Sequence, residues 1–209
     1  MLSLTSFTHI FYGDYSAANA LADELISSAD EKGALYWKAQ GMSHHGCVLA
    51  LTGEAAAAVQ MISCGTAAWR STGATLWTPL WLSYLGKAYA DLEKFEDAWR
   101  CMEEAKTAVA TTKERWYEAE LYRMAGEIAL RLDAEKARVN FDRALTISRE
   151  QHAKSWELRA AMSMARFWRD QGKRSDAYHL LAPIYARFTE GFDSLDLKEA
   201  KALLRKLNA

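Results

Sequence analysis

The sequence predicts an all-α fold, a solenoid of about five helical hairpins of ~40 residues plus a C-terminal capping helix, and three observations predict it. Alanine supplies 37 of the 209 residues and proline only 2; alanine loses no side-chain entropy in a helix, whereas proline would interrupt one. Gly13, Gly33, Gly53 and Gly73 stand 20 residues apart, and glycine is preferred just past a helix end, where the chain turns through positive φ. Sliding the chain against itself by 39–40 residues superimposes Gly46, Gly86, Gly126 and Ala165 in the first helices of successive hairpins. The same shift aligns Ala22, Ile62, Met102, Phe141 and Leu181 in the second helices. A small residue at a fixed point lets neighbouring helices approach closely, and a larger one fills the gap beside it.

A single array over residues 1–209 follows, with hairpins at about 1–32, 33–72, 73–111, 112–151 and 152–191 and a capping helix at 196–207. The first hairpin opens with a shortened helix, about Ser3–Phe11. Thr78-Pro79 reads as a cap with proline at the first helical position. Thr111 with Glu114, and Asp196 with Glu199, have capping-box spacing. Gly172 is placed to close the first helix of the last hairpin and Gly191 its second. Charges at Lys198, Glu199, Lys201, Arg205 and Lys206 suit a terminal cap with one solvated side. No stretch alternates in the β-branched manner of a strand.

Charged residues make up 25% and hydrophobic ones 50%, which supports an ordered core. A formal net charge of −1 removes the global electrostatic argument for nucleic acid or an anionic membrane. Cys47, Cys64 and Cys101 are far apart and read as small buried apolar side chains. The first residues lack the basic and apolar regions of a signal peptide, and the 15-residue uncharged run 55–69 is too short to span a bilayer. A cytoplasmic location is the expectation. Whether the chain stands alone or belongs to a longer protein is left open by its sequence.

Leu82-x-x-Leu85-Gly86-x-x-Tyr89, followed by Phe95-x-x-Ala98-x-x-x-Met102-x-x-Ala105, resembles the tetratricopeptide repeat. Gly126…Phe141…Ala144 and Gly172…Ala177 match it less fully. The period is longer than that consensus, and its closing proline is missing. Segments such as AWRSTGATLW, TKERWYEAELYRMAGEIAL and AKSWELRAAMSMARFWRDQGKR resemble the C-terminal repeat region of bacterial adenylate/guanylate-cyclase-like proteins that carry an AAA-type signalling ATPase. These resemblances imply a right-handed superhelical array whose first helices line a concave groove, working in signalling linked to cyclase or ATPase proteins.

Catalytic motifs are missing. There is neither G-x-x-x-x-G-K-[ST] nor G-x-G-x-x-G, and His9, His44, His45, His152 and His179 lack metal-ligand spacing. The expectation is a non-catalytic protein with no cofactor and no metal, its histidines on helix surfaces or satisfied in the core. Trp81, Trp99 and Trp168 read as core, while Trp37, Trp77, Trp116 and Trp156 recur near hairpin junctions as a column that packs between repeats or offers a contact surface.

Mapped onto the ruler, the groove lining is Gln40, Ser43 and Cys47; Ser83, Lys87 and Asp91; Glu120, Arg123, Glu127 and Arg131; then Arg159, Met162, Arg166 and Arg169. Arginine presents a planar fork suited to carboxylates, so an acidic peptide or C-terminal carboxylate is one expectation. The alternative is that Glu120, Glu127 and Asp170 neutralise these arginines. The partner is then a protein or peptide; a small molecule sensed in the superhelix interior is the rival reading. Apolar surface at the shortened first hairpin would also let two copies pair.

Overall fold

The computed structural model describes residues 1–208. Among them the chain is all-α, with eleven helices and no strand. In chain order they are α1 Leu2–Tyr12, α2 Tyr15–Glu31, α3 Leu35–Thr52, α4 Ala55–Ser71, α5 Thr78–Asp91 and α6 Phe95–Thr112. There follow α7 Glu118–Ala129, α8 Ala134–Glu150, α9 Lys154–Asp170, α10 Arg174–Tyr185 and α11 Leu195–Leu207. The helices fall into two compact units that divide between Glu114 and Arg115, at the junction of the third and fourth hairpins. The first unit holds α1–α6 and the second α7–α11.

Each unit repeats one packing scheme. A first helix packs on its own second helix, on the second helix of the preceding hairpin, and on the next first helix: α3 on α4, α2 and α5, and α9 on α10, α8 and α11. The second helices of neighbouring hairpins make no comparable contact. First helices therefore crowd one side of each unit, and second helices spread over the other.

The 20-residue ruler is a backbone conformation. Gly13, Gly33, Gly53 and Gly73 all have φ between +61° and +92°. The same left-handed turn recurs at Glu93 (φ +60°), Lys113 (φ +61°), His152 (φ +53°), Gly172 and Gly191. Three of these positions carry side chains, which is why the glycine spacing fades from the sequence while the turn persists. Asp133 breaks the pattern: it is extended, and its carboxylate accepts from the Lys136 N–H at 3.0 Å to cap α8. Asp14 does the same for α2 through the Ala17 N–H.

The small residues of the first helices sit where the sequence places them. A Cβ added to Gly46 would lie 2.5 Å from Ile62 Cγ1 and 3.0 Å from the Ile62 backbone nitrogen. At Gly126 it would lie 2.4 Å from the Phe141 ring, and at Gly86 2.7 Å from the Met102 methyl. These partners are the large residues that the 40-residue shift aligned. Ile62, Met102 and Phe141 are wholly buried, as are Ala165 and Leu181 of the last hairpin.

Several helix ends depart from the sequence reading. Trp77, at φ +69°, is the N-cap of α5, and Thr78 is its first helical residue. Thr111 forms no capping box, because α6 runs on through Thr112 and α7 begins only at Glu118. Glu114 instead accepts from the Trp77 N–H at 3.0 and 3.1 Å. Ser194, not Asp196, stands at the N-cap position of α11, and its side chain makes no capping bond. Pro183 lies inside α10, which ends at Tyr185, well before Gly191; proline removes a helical N–H and clashes with the preceding turn. Of the cysteines, Cys47 and Cys101 are buried and Cys64 is exposed, and all three are free thiols. Burial pushes the Cys47 thiol up, and that of Cys101 up to about 11.

Gly46→Ala is expected to lower stability by about 1–2 kcal/mol, the overpacking cost less the gain in helix propensity. Gly86→Ala should cost less, because the end of the Met102 side chain can swing aside. Urea unfolding of both variants checks the order.

Candidate partner-binding face

In the second unit the crowded side carries a guanidinium–carboxylate network between α7, α9 and α11. Its base is Glu120, whose side chain is only 1% exposed. Arg123, one turn along α7, donates from Nε and Nη2 to the two Glu120 oxygens at 2.8 and 2.9 Å. Its Nη1 donates to Glu127 Oε1 at 3.1 Å and to Ser163 Oγ on α9 at 3.3 Å. The Ser163 hydroxyl in turn donates to Glu127 Oε1 at 2.6 Å. Arg159 of α9 approaches Glu120 Oε1 at 3.2 Å and Asp196 of α11 at 3.7 Å, with its guanidinium 5.6 Å over the Trp156 ring. Farther along, Arg166 donates to Glu199 of α11 at 2.7 Å.

These pairings set the charge states. Burial works to raise the Glu120 carboxyl, but the positive charges of Arg123 and Arg159 outweigh it and hold it below the usual range. Burial also opposes charge on Arg123, and Glu120 more than compensates, lifting its pKa. Asp196 goes the other way: burial raises it, and Arg159 only partly offsets that. A buried pair of this kind adds little net stability, since desolvation cancels most of the attraction. What it does is fix the orientation of the side chains bonded to it.

The corresponding side of the first unit is aromatic. His44 of α3 is 1% exposed and stacks on Phe7 of α1 at 5.6 Å. Trp81 of α5 lies 6.4 Å from His44 and 4.9 Å from Trp69 of α4, and Trp77 packs edge-on against Phe7 at 4.6 Å. Four buried polar atoms here have no hydrogen-bond partner: Gln40 Oε1, His44 Nδ1, Trp69 Nε1 and Trp81 Nε1. His44 is therefore neither on the surface nor satisfied in the core, contrary to the sequence reading.

No protein-family model matches the chain, and no curated protein matches its sequence. Among the described residues no helix is long and apolar enough to cross a membrane, and no cluster of three His, Cys, Asp or Glu side chains could hold a metal ion.

The structure sorts the expected lining residues into three groups. Gln40, Ser43, Cys47, Ser83, Glu120 and Met162 are buried. Ser43 faces α4, where its hydroxyl would be 2.6 Å from a Cβ on Gly65, and it donates to the Ala39 carbonyl; inter-helix packing claims it. Lys87 pairs with Asp91 at 2.6 Å, half-exposed. Arg123, Arg159, Arg166 and Arg169 each meet a carboxylate, Arg169 that of Asp170 at 2.8 Å. Of the two readings of the arginines, neutralisation is the one observed, with Asp196 and Glu199 as contributors that the sequence reading missed. Arg131 is exposed. Trp116 and Trp156 form a local pair, Trp156 Nε1 donating to the Trp116 carbonyl at 2.9 Å. Trp37 is 47% exposed beside Tyr36, and Trp77 sits on Phe7, so these two do not stack on each other. Trp81 is core, whereas Trp99 and Trp168 are half-buried. Met1, Leu2, Leu25 and Trp37 line an apolar recess at the first hairpin.

Burial lowers the His44 pKa from 6.5 to about 4. Between these values the unfolded chain binds a proton that the folded chain refuses. Its contribution to stability is whole above the upper value and falls away as pH drops through the window, by about 3 kcal/mol in all. His44→Phe keeps an aromatic ring against Phe7 and removes the proton. Melting temperatures at pH 7.5 and 4.5 should differ less for this variant than for the native chain.

Proposed function

We propose that the chain is a non-catalytic interaction module that holds a partner protein or peptide against the first-helix side of its units. One observation carries this reading. Buried Glu120 anchors a network that reaches the surface at Glu127 (41% exposed), and a separate pair, Arg166 (38%) with Glu199 (45%), ties α9 to α11 on the same side. Side chains already fixed by their neighbours lose little rotamer freedom when a partner binds, which favours recognition. Every arginine of the set is matched by a carboxylate, so this side suits a partner segment of mixed charge better than a uniformly acidic one. The resemblance to the repeat region of bacterial cyclase-like proteins supports a place in cytoplasmic signalling linked to cyclase or ATPase proteins. The lack of a nucleophile–base set in the sequence supports a role without catalysis.

The rival reading, a small-molecule sensor, draws on the four unpartnered polar atoms in the aromatic cluster of the first unit, since buried polar groups without partners are uncommon. One comparison separates the two. Affinity purification from the source cells with the native chain should retain a partner that the charge-reversed variant Glu127→Lys/Arg166→Glu/Glu199→Lys loses. An identical set of captured proteins for both would defeat the partner-binding reading. A saturable change of tryptophan fluorescence with a metabolite, alongside that result, would favour the sensor.

A further inference from the structure

Cations outnumber carboxylates in one recess of the second unit, and it lies away from the network just described. Arg149 in the last turn of α8, His152 in the following turn, Lys154 at the start of α9, Glu157 one turn further and Arg187 just beyond α10 line a hollow of about 160 Å³. Glu157 is 7% exposed and held from both sides: Arg149 Nε donates to Oε1 at 3.0 Å, and Arg187 Nη2 donates to Oε2. Burial would raise the Glu157 carboxyl, but the hydrogen bonds from Arg187 and Arg149 prevail and keep it ionised below the usual range.

A guanidinium offers five N–H donors. Each arginine uses one on Glu157, so both keep donors for a second acceptor. Three permanent cations, Arg149, Lys154 and Arg187, face one carboxylate, and His152 adds a further ring donor. The turn that carries His152 is set by its left-handed φ of +53°, and α9 opens at Ala153 without a side-chain cap, with Glu157 the acidic residue of its first turn. Glu157 thus does for this recess what Glu120 does for the other face: it fixes two guanidiniums in position. Here, however, it leaves their charge unbalanced.

We propose that this recess is a binding site for an oxyanion, a phosphoryl or carboxylate group, held by Arg149, His152, Lys154 and Arg187 around Glu157. Two pre-set guanidiniums supply bidentate, charge-assisted hydrogen bonds, which are the stronger kind. Lys154 and His152 close the open side. The site is independent of the partner-binding face, whose arginines are each matched by a carboxylate.

The test is a titration of the ¹⁵N-labelled full chain with inorganic phosphate and, separately, with citrate, against sodium chloride at equal ionic strength. Saturable shifts confined to the amides of residues 149–157 and the Arg149 and Arg187 Nε–H signals, with either anion, are the expected result. Phosphate alone would assign a phosphoryl ligand, and citrate alone a carboxylate one. His152→Asn/Lys154→Gln removes two exposed side chains from the rim, and asparagine tolerates the left-handed turn, so folding is retained; affinity should fall about threefold to tenfold. Arg187→Gln should weaken binding by about tenfold or more. If that variant fails to fold, the rim variant decides. Shifts no larger than those from chloride, or binding unchanged in the rim variant, would overturn the proposal.

Discussion

In the second, third and fourth hairpins the two helices meet at one point where the first offers almost no side chain and the second a large one. Gly46 lies against Ile62, Gly86 against Met102 and Gly126 against Phe141, and in the last hairpin the aligned residues Ala165 and Leu181 are both wholly buried. The gap is smaller than a methyl group at the three glycine points. Everything else in either unit depends on that spacing. It lets the ring or branched chain of the second helix be wholly buried, which contributes about 1.5–3 kcal/mol for each such residue. It also fixes the register of each hairpin, so that the left-handed turns fall every twenty residues or so, whether glycine, Glu93, Lys113 or His152 occupies them.

Because first helices touch one another and second helices of neighbouring hairpins do not, the side chains between first helices are squeezed and must be satisfied locally. The two units meet this demand with different chemistry. The first fills the space with rings, Phe7, His44, Trp77 and Trp81, and leaves some polar atoms without partners. The second fills it with charge, and the buried carboxylate of Glu120 organises the guanidiniums of Arg123 and Arg159 around itself. An aromatic interior is permissive about what fits beside it. A network of paired charges is directional, and its exposed ends present fixed hydrogen-bonding positions. That difference is the physical basis for assigning partner recognition to the second unit.

The helices were legible in the sequence because their signals are local or strictly periodic: alanine content, glycine spacing, and small residues recurring at the same phase. The limits near 33, 73 and 152 fall in the observed connections, while the one near 112 falls on the last residue of α6. Ends were harder to read. A cap is decided by one residue's φ, and Trp77 at +69° carries no signal in its type. For the candidate site, the first-helix arginines and their nearby partners Glu120, Glu127 and Asp170 were readable, but the partners from other elements were not. Asp196 and Glu199 come from α11, and Glu157 is clamped by Arg149 and Arg187, eight and thirty residues away. Gln40, Ser43 and Met162 share the periodic phase of the lining, yet their burial depends on how closely the next helix approaches. His44 shows the same limit. Its position one turn from Gln40 puts both on one face of α3, but only the packing of α1 and α5 shows that this face is closed.

A double-mutant cycle at Gly126 and Phe141 tests the spacing constraint most directly. The unfolding free energy of the native chain, Gly126→Ala, Phe141→Leu and the combined variant would be measured in urea. Ring atoms of Phe141 are the nearest obstacle to a methyl at position 126. The account therefore predicts that Gly126→Ala costs about 1–2 kcal/mol in the native background and nothing, or a slight gain, once Phe141→Leu has made room. An equal cost in both backgrounds would mean that the close approach of the two helices does not set the register of the hairpin.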